Sequence, residues 1–229
     1  AYEIRPRDGS SDVCSSDLGI TWHEMTAEVD AGRILKQVLL PVNPDDTSGS
    51  LNFRCYVSAV RSFGELLDEM LAGRVVPVVQ DLSQRTYYPY DQKPPRLGFI
   101  DWSQQDDQIH NLIRALDFGR QRNPFGFAKT TLHGAILAVT QSMRTTSRSA
   151  MAPGTIMESV APDGGKASEP WLRVATGGND LLVSRLAQPD GSALPENLLG
   201  ALHARTASLR FGAPPPAVEG TLTASLQPE

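Results

Sequence analysis

Cysteine, positive charge and long apolar stretches are all scarce in this chain. Two cysteines, Cys14 and Cys55, cannot form a disulfide framework or a zinc site on their own, so we expect a reduced, cytoplasmic protein. No apolar run approaches the roughly 20 residues that a membrane helix needs. No basic start leads into an apolar segment of the kind found in secretory signals. We therefore do not expect this chain to be a membrane protein or a secreted disulfide-rich protein.

The charge balance argues against a nucleic-acid-binding surface. The 229 residues carry 21 Lys+Arg and 26 Asp+Glu, which gives a formal net charge of −5. Residues 141–229 hold 7 basic and 8 acidic side chains, and 7 − 8 leaves this part at −1. Contacts of Lys and Arg with phosphates supply most of a protein's affinity for nucleic acids. Neither half of the chain has the excess of basic residues that a nucleic-acid-binding surface needs. The length fits one large domain or two small ones.

The first eighteen residues show neither strand nor helix periodicity. Arg7-Asp8-Gly9 and the following Ser/Asp-rich stretch up to Leu18 resemble the translation of a sequencing-library adapter in one reading frame. We interpret residues 1–18 as adapter-derived and exclude them from the reasoning about the fold; a disordered natural terminus is the alternative. This interpretation predicts that Cys14 has no role and that residues 1–18 pack against nothing.

Residues 19–79 carry signals for two strands and a long helix. Segments 19–25 and 34–40 have the apolar pattern of strands, and residues 45–48 supply side-chain oxygens that cap a helix. The helix is predicted to extend to about Ala72 and to end at Gly73. Its apolar residues recur at helical spacing and are expected to be core: Phe53, Tyr56, Val57, Val60, Phe63, Leu67, Met70 and Leu71.

The rest of the chain reads as a linker followed by a β-rich region. Residues 80–95 are irregular and contain several Pro and Tyr residues, as linkers do. Residues 132–139 look like a single strand, and a closing helix is predicted over 194–206. Short strands separated by Gly, Pro, Asp and Asn turns predict a small barrel or a curled sheet; they span 154–160, 171–176 and 181–186.

Four segments, in order along the chain, resemble the folate-dependent formyltransferases. They are G-I-T-W-H-E-M at 19–25 with V-D-A-G-R-I-L at 29–35, D-D-T-S-G-S-L at 45–51, I-D-W-S at 100–103 with I-R-A at 113–115, and A-P-G-T-I at 152–156 with V-A-T-G at 174–177. Each segment alone is a weak signal. Together, in this order over roughly residues 19–212, they are a strong one.

The resemblance implies an α/β fold in two parts. Residues 19–79 would be the C-terminal half of a Rossmann-like formyltransferase domain, and residues 80–95 the linker. Residues 96–212 would form a small OB-like, β-rich C-terminal domain, and residues 213–229 a flexible tail or linker. Because the first strands of the Rossmann-like sheet have no counterpart in this chain, the resemblance also implies an open sheet edge and an exposed apolar face.

The resemblance implies transfer of a formyl group from 10-formyltetrahydrofolate to a primary amine. Attack of the amine on the formyl carbon puts charge on oxygen, so catalysis needs an oxyanion donor and a proton shuttle. The family is understood to use an Asn and a His from an N-x-H motif and an Asp from a D-x-G loop. Only the Asp matches here, at Asp30, and Val29 and Asp30 are predicted to contact the folate donor. The fragment alone is therefore expected to be inactive.

The alternatives for the candidate side chains remain open. Asp30 could instead be a turn aspartate that caps backbone N–H groups ahead of Gly32, and His23 is interpreted as supporting structure. Arg114 would orient an anionic acceptor or form a solvated salt bridge. Tyr87 and Tyr88 would stack on an acceptor or cover apolar surface. The other histidines, His110, His133 and His203, are assigned to surface or packing roles, and no metal site is expected.

The acceptor is predicted to be a small-molecule or carrier-bound amine. Charge disfavours tRNA, although Arg144 and Arg148 offer a local basic patch. Residues 81–88 look more like the formyltransferase domains fused to nonribosomal peptide or polyketide synthases. A tRNA- or carrier-binding OB-like module without catalysis is the alternative function, and a purely structural domain is a third. No membrane partner is expected.

Overall fold

The structure is a computed structural model that describes residues 18–84, 93–119, 121–160, 170–195 and 209–212. These residues fall into two compact units, one over 18–84 and the other beginning at Lys93. The adapter-like residues 1–17, the predicted tail and nearly all of the predicted closing helix lie outside the described residues. Within the described part of the chain, no helix is both long enough and apolar enough to cross a membrane.

An antiparallel pair of strands forms the sheet of the first unit. β1 (Leu18–His23) and β2 (Ile34–Leu40) pair from Leu18, opposite Leu40, to His23, with a register shift at the end of β1. Both strands confirm the sequence-based prediction. Because Leu18 already belongs to β1, the expectation that residues 1–18 pack against nothing is wrong for Leu18.

A short extended segment adds to the edge of this sheet. Ile34 and Val78 exchange two backbone hydrogen bonds of 2.7 and 2.8 Å. This contact fixes the segment that follows the long helix beside the start of β2. The residues just after Val78 are therefore held next to the loop that joins β1 to β2.

The long helix α1 (Ser48–Leu71) begins and ends where the sequence predicts. The Thr47 side chain accepts a hydrogen bond from the backbone N–H of Ser50, and the Ser50 hydroxyl accepts one from Thr47, which is the reciprocal arrangement of a capping box. Gly73, with φ of 63°, follows the last turn in the left-handed conformation that commonly ends helices.

The apolar face of α1 that was predicted to be core is exposed. The helix packs on the strands through another stripe, formed by Leu51, Cys55, Ser62 and Leu66. The eight predicted core side chains are 45–88% exposed, so that prediction was wrong: Phe53, Tyr56, Val57, Val60, Phe63, Leu67, Met70 and Leu71. Spacing shows which residues share a face but not which face packs. Trp22 of β1 lies against Ser62 and also against the ring of Phe63, with 4.9 Å between ring centroids. Its indole Nε1–H donates to Ser62 Oγ at 2.9 Å.

The second unit combines one helix with a five-stranded antiparallel sheet. The helix is α2 (Asp106–Ala115), and the strands follow the order β3-β4-β7-β6-β5. Their bounds are β3 (Ala128–Leu132), β4 (Ala135–Arg144), β5 (Ile156–Val160), β6 (Trp171–Val174) and β7 (Leu181–Ala187). Residues 209–212 hydrogen-bond to both outer strands, through Thr131 and Ile156, and so connect the two edges of the sheet.

The single strand predicted over 132–139 is a hairpin of two strands. His133 and Gly134 separate β3 from β4 with φ values of 49° and 82°. Two positive φ angles in a two-residue connection are what a type I′ turn needs. The prediction missed the turn because His-Gly is not among the Asn-Gly and Asp-Gly pairs that usually mark it.

A buried tryptophan organises the core of the second unit. Trp102 is 4% exposed and stacks on Phe211 with 5.2 Å between ring centroids. Its Nε1–H donates to Thr130 Oγ1 at 2.9 Å, which satisfies the one polar atom of the ring inside the core. Around it pack apolar side chains from α2 and the sheet, among them Ile109, Ile113, Val139, Ile156, Leu172, Val174, Leu181 and Val183.

Replacing Thr130 with valine tests this arrangement. The Thr130→Val change removes the acceptor of the buried Trp102 N–H, and a buried donor without a partner costs about 1–3 kcal/mol of stability. Unfolding in denaturant, followed by tryptophan fluorescence, measures the loss. Thr140→Val is the matched control, because that hydroxyl donates to the Arg185 carbonyl in an exposed position, and we expect a change within about 0.5 kcal/mol. Equal losses for both variants would contradict the role given to Thr130.

Candidate functional site

The loop that joins β1 to β2, residues 24–33, carries both predicted site residues and is called the Asp30 loop below. The Val29 residue is 73% exposed and the Asp30 side chain 69% exposed. Both are therefore open to a ligand. The rest of the loop determines how firmly the two side chains are presented.

A bidentate ion pair closes the base of the Asp30 loop. Arg33 donates from Nε and Nη2 to the two carboxylate oxygens of Glu24 at 2.7 and 2.6 Å, and the Glu24 N–H donates to the Arg33 carbonyl at 3.0 Å. The hydrogen bond from Arg33 holds the pKa of Glu24 below its usual range, and Glu24 in turn raises the pKa of Arg33. Paired N–H donors of this kind fix geometry as well as charge.

Gly32 lets the two sides of the loop approach each other. A methyl group on Gly32 would lie 1.9 Å from the carbonyl oxygen of Glu24, so no side chain fits there. Gln80, in the segment held beside β2, donates from Nε2 to the carbonyl oxygens of Asp30 at 3.0 Å and of Gly32 at 2.5 Å. The backbone around Asp30 is thus held from two directions.

Asp30 adopts a left-handed backbone conformation beside a histidine. Its φ is 56°, a region that Asp and Asn enter more readily than most residues. Its Oδ1 lies 3.5 Å from Nε2 of His23, whose Nδ1 lies 2.9 Å from the Glu24 carbonyl oxygen. A carboxylate beside an imidazole can accept a proton and pass it on.

The contact between His23 and Asp30 was missed at the level of sequence. His23 was interpreted as supporting structure, and the structure places its ring against the candidate catalytic carboxylate. The signal in the sequence was that His23 lies near the end of the first predicted strand segment, a few residues before Asp30; the structure adds that the strand register shifts at His23. Irregularities of this kind re-aim side chains next to functional sites.

Three other candidates, Arg114, His110 and His133, belong to the second unit. Arg114 Nη2 donates to Asn111 Oδ1 at 2.7 Å, and His110 Nδ1 lies 2.9 Å from Ser142 Oγ. His133 is in the turn between β3 and β4. Tyr87, Tyr88 and His203 lie outside the described residues. Of the predicted residues, the structure therefore brings His23 and Asp30 together, and exposed Val29 precedes Asp30 in the chain.

The described residues contain no cluster of metal-ligating side chains. No group of three or more His, Cys, Asp or Glu side chains gathers there in a way that could hold a metal ion. Cys55 is buried against the strands, and burial raises the pKa of its thiol. A protonated, enclosed thiol has little nucleophilic character.

Substituting glycines of the first unit tests the closure of the loop. Gly32→Ala forces backbone atoms apart, and overpacking of this kind typically destabilises by about 1–3 kcal/mol. Gly64→Ala is the matched control, since a methyl group there meets nothing within 4 Å on the surface of α1. Removing a helix-interior glycine should stabilise by about 0.5–1 kcal/mol. Denaturant unfolding of both variants should give opposite signs; the same sign would refute the close approach at Gly32.

The Glu24–Arg33 pair predicts a pH-dependent stability. The pKa of Glu24 in the folded chain lies below its ordinary value of 4.5, so the pair stabilises the fold above that value and is lost as pH falls through the folded pKa. Glu24→Gln should therefore lower the unfolding midpoint at about pH 7 and much less at about pH 3. Glu28→Gln, on the same loop, is the control and should lack this pattern. A Glu24→Gln deficit that is equal at both pH values would contradict the prediction.

A known protein family matches most of the second unit. The family described as formyl transferase, C-terminal domain, matches residues 94–199. The match covers α2, the five strands and Trp102 of that unit, and it ends before Phe211.

Curated relatives extend the similarity into the first unit. Methionyl-tRNA formyltransferase of Bacillus subtilis is 30% identical over 173 residues, which is 76% of this chain and 50% of that protein. The protein of the same name from Roseiflexus castenholzii is 32% identical over 177 residues, 77% of this chain and 51% of that protein. The chain thus spans about half the length of the curated relatives it matches.

Solved structures share the fold. HypX from Aquifex aeolicus, in a crystal structure with tetrahydrofolic acid, superposes with a TM-score of 0.58 at 17% identity, over 83% of this chain and 31% of that one. The similarity covers both sequence and fold, and the formyltransferase C-terminal domain accounts for residues 94–199. The chain belongs to the formyltransferase family.

Proposed function

We propose that this chain is part of an enzyme that transfers the formyl group of 10-formyltetrahydrofolate to a primary amine. The observation that carries the proposal is the Asp30 loop, which presents an exposed carboxylate from a firmly closed base within a chain of this family. Related structures support the donor. HypX was crystallised with tetrahydrofolic acid, and an N-formyltransferase from Helicobacter canadensis, with a TM-score of 0.50, was crystallised with folinic acid.

Within this proposal, Asp30 is the catalytic carboxylate and Val29 lies beside it against the folate. The donor supplies the formyl carbon, and Asp30 accepts a proton from the attacking amine. Glu24, Arg33 and Gln80 hold the loop in one conformation before the substrates arrive. Orientation that is established in advance lowers the entropic part of the barrier.

The remaining catalytic groups are proposed to come from another stretch of polypeptide. No Asn-x-His sequence occurs in the 229 residues, whereas the family is understood to use both side chains. We infer that residues 19–79 are the second half of a Rossmann-like catalytic domain. The exposed apolar face of α1 supports this inference, since large exposed apolar patches mark surfaces that contact something else. The chain alone is then expected to be inactive.

The acceptor is proposed to be a small-molecule or carrier-bound amine. In the second unit, the basic side chains of the predicted patch are engaged within the protein. Arg144 Nε donates to Asp106 at 2.8 Å, and Arg148 donates to the Gly177 carbonyl at 3.3 Å. Guanidinium groups used in this way contribute less to phosphate binding. The carrier-bound form agrees with the likeness of residues 81–88 to formyltransferase domains of peptide and polyketide synthases.

Methionyl-tRNA is the second candidate acceptor, favoured by the names of the curated relatives. A binding module without catalysis is the second candidate function, favoured by the absence of the Asn-x-His sequence. Both are distinguished from the main proposal by the experiment below.

The experiment uses the longest natural reading frame that contains residues 19–212. In that protein, Asp30→Asn removes the proton acceptor but keeps a residue that tolerates a positive φ. We expect the rate of formyl transfer from 10-formyltetrahydrofolate to fall by about 10²–10⁴-fold, measured as tetrahydrofolate released in the presence of an amine. Glu28→Gln, a change on the same loop, is the matched control and should keep the rate.

Each alternative gives a different result. A near-wild-type rate for Asp30→Asn would overturn its catalytic role. Turnover by the 229-residue chain alone that depends on Asp30 would overturn the need for a further polypeptide. Transfer to methionyl-tRNA but to no small or carrier-bound amine would overturn the proposed acceptor. Folate binding without transfer to any acceptor would favour the binding module.

A further inference from the structure

The two ring nitrogens of His23 have different neighbours. Nδ1 lies 2.9 Å from the carbonyl oxygen of Glu24. A carbonyl oxygen only accepts hydrogen bonds, so Nδ1 must carry a hydrogen to make this contact. In the neutral ring, the other nitrogen, Nε2, then has a lone pair and no hydrogen.

Nε2 is the nitrogen that faces Asp30. Its distance to Oδ1 is 3.5 Å. A lone pair and an ionised carboxylate oxygen repel each other at this separation, because neither can donate a hydrogen bond. One added proton converts the contact into an attractive one, whether it resides on the imidazole or on the carboxylate. A proton held between Nε2 and Oδ1 can therefore be passed from one of these atoms to the other.

The surrounding charges leave Asp30 as the acidic partner of His23. Within the loop, the Glu24 carboxylate is paired with Arg33, and Glu28 is exposed. Gln80, from the segment after α1, contributes an uncharged amide. On β2 and α1, Lys36 pairs with Glu65 and Glu69.

We propose that His23 receives the proton that Asp30 takes from the attacking amine. The inference rests on the proposed catalytic role of Asp30. The amine N–H bond breaks with its electron pair left on nitrogen, and an O–H bond forms on Asp30. That O–H bond then breaks as an Nε2–H bond forms on His23. The ring, 28% exposed, releases the proton to solvent, so no further reactant is needed.

His23 is therefore a positioning residue that acts through Asp30. The hydrogen bond from Nδ1 to the Glu24 carbonyl fixes the ring, and the ring keeps Nε2 directed at the carboxylate. An exposed pair of this kind contributes about 0.2–1 kcal/mol. Its importance lies in where the proton rests and not in the stability of the fold.

The test reads the protons on the His23 ring in the chain as it exists. With ¹⁵N-labelled histidine, long-range ¹⁵N–¹H NMR shows which ring nitrogen carries hydrogen, and the signal lost in His23→Gln assigns the spectrum. We expect the neutral ring to carry its hydrogen on Nδ1. Asp30→Asn replaces the carboxylate with an amide that can donate an N–H to Nε2, so it should change the Nε2 resonance. Glu28→Gln, the matched change at a carboxylate of the same loop, should leave the Nε2 resonance unchanged.

Three results would overturn the inference: hydrogen on Nε2 of the neutral ring, no change of the Nε2 resonance in Asp30→Asn, or an equal change in Glu28→Gln. Asn tolerates the left-handed conformation of position 30, and the backbone amide spectrum reports whether the loop is intact. The NMR measurement involves no formyl transfer. A failure of the proposed function would appear only in the rates, and a failure of the His23 inference would appear in the spectrum.

Discussion

The close approach of the two ends of the Asp30 loop is the constraint on which the candidate site depends. Gly32 touches the backbone of Glu24 so closely that a side chain cannot be accommodated, and the bidentate pair with Arg33 draws the same two strands together. Gln80 then fixes the carbonyl groups on either side of Ala31. With its backbone held in this way, Asp30 keeps a left-handed conformation that presents the carboxylate to His23 and to solvent.

The second unit uses acidic side chains for a different purpose. Asp180 is almost fully buried and accepts hydrogen bonds from Ser149 and from the Arg173 guanidinium, at 2.8 and 2.7 Å respectively. Asp106 accepts from Arg144 and from the backbone N–H of Asn179. The Asp106 contacts tie the end of β4 and the residues before β7 to the start of α2. Both carboxylates are buried and paired, and a buried charge is tolerated only when it is paired. They also engage two arginine guanidinium groups within the protein, although the Arg144 side chain remains 52% exposed.

Local signals in the sequence were sufficient to predict the strands of the first unit and the ends of α1. They did not predict which face of α1 packs or where the turn between β3 and β4 lies. The strands of the first unit and both ends of α1 were predicted from alternation, capping residues and Gly73, all of which act over a few residues. The packing face of α1 was predicted wrongly, because apolar residues lie on two sides of that helix and local spacing does not show which side packs on the strands. The hairpin at His133-Gly134 was missed because its backbone angles, and not its residue types, identify the turn.

The sequence by itself determined the family resemblance, the Asp30 loop as the candidate site and the lack of an Asn-x-His motif, since each of these is a pattern of residues close together in the chain. The expected Rossmann-like half, the OB-like topology and the donor contacts of Val29 remain predictions. Only the tertiary structure decided that Gln80 reaches back to Asp30 across 50 positions and that His23 faces it across the loop. The physical reason is that a hydrogen bond depends on distance and direction in space, and residue order specifies neither until the strands have paired.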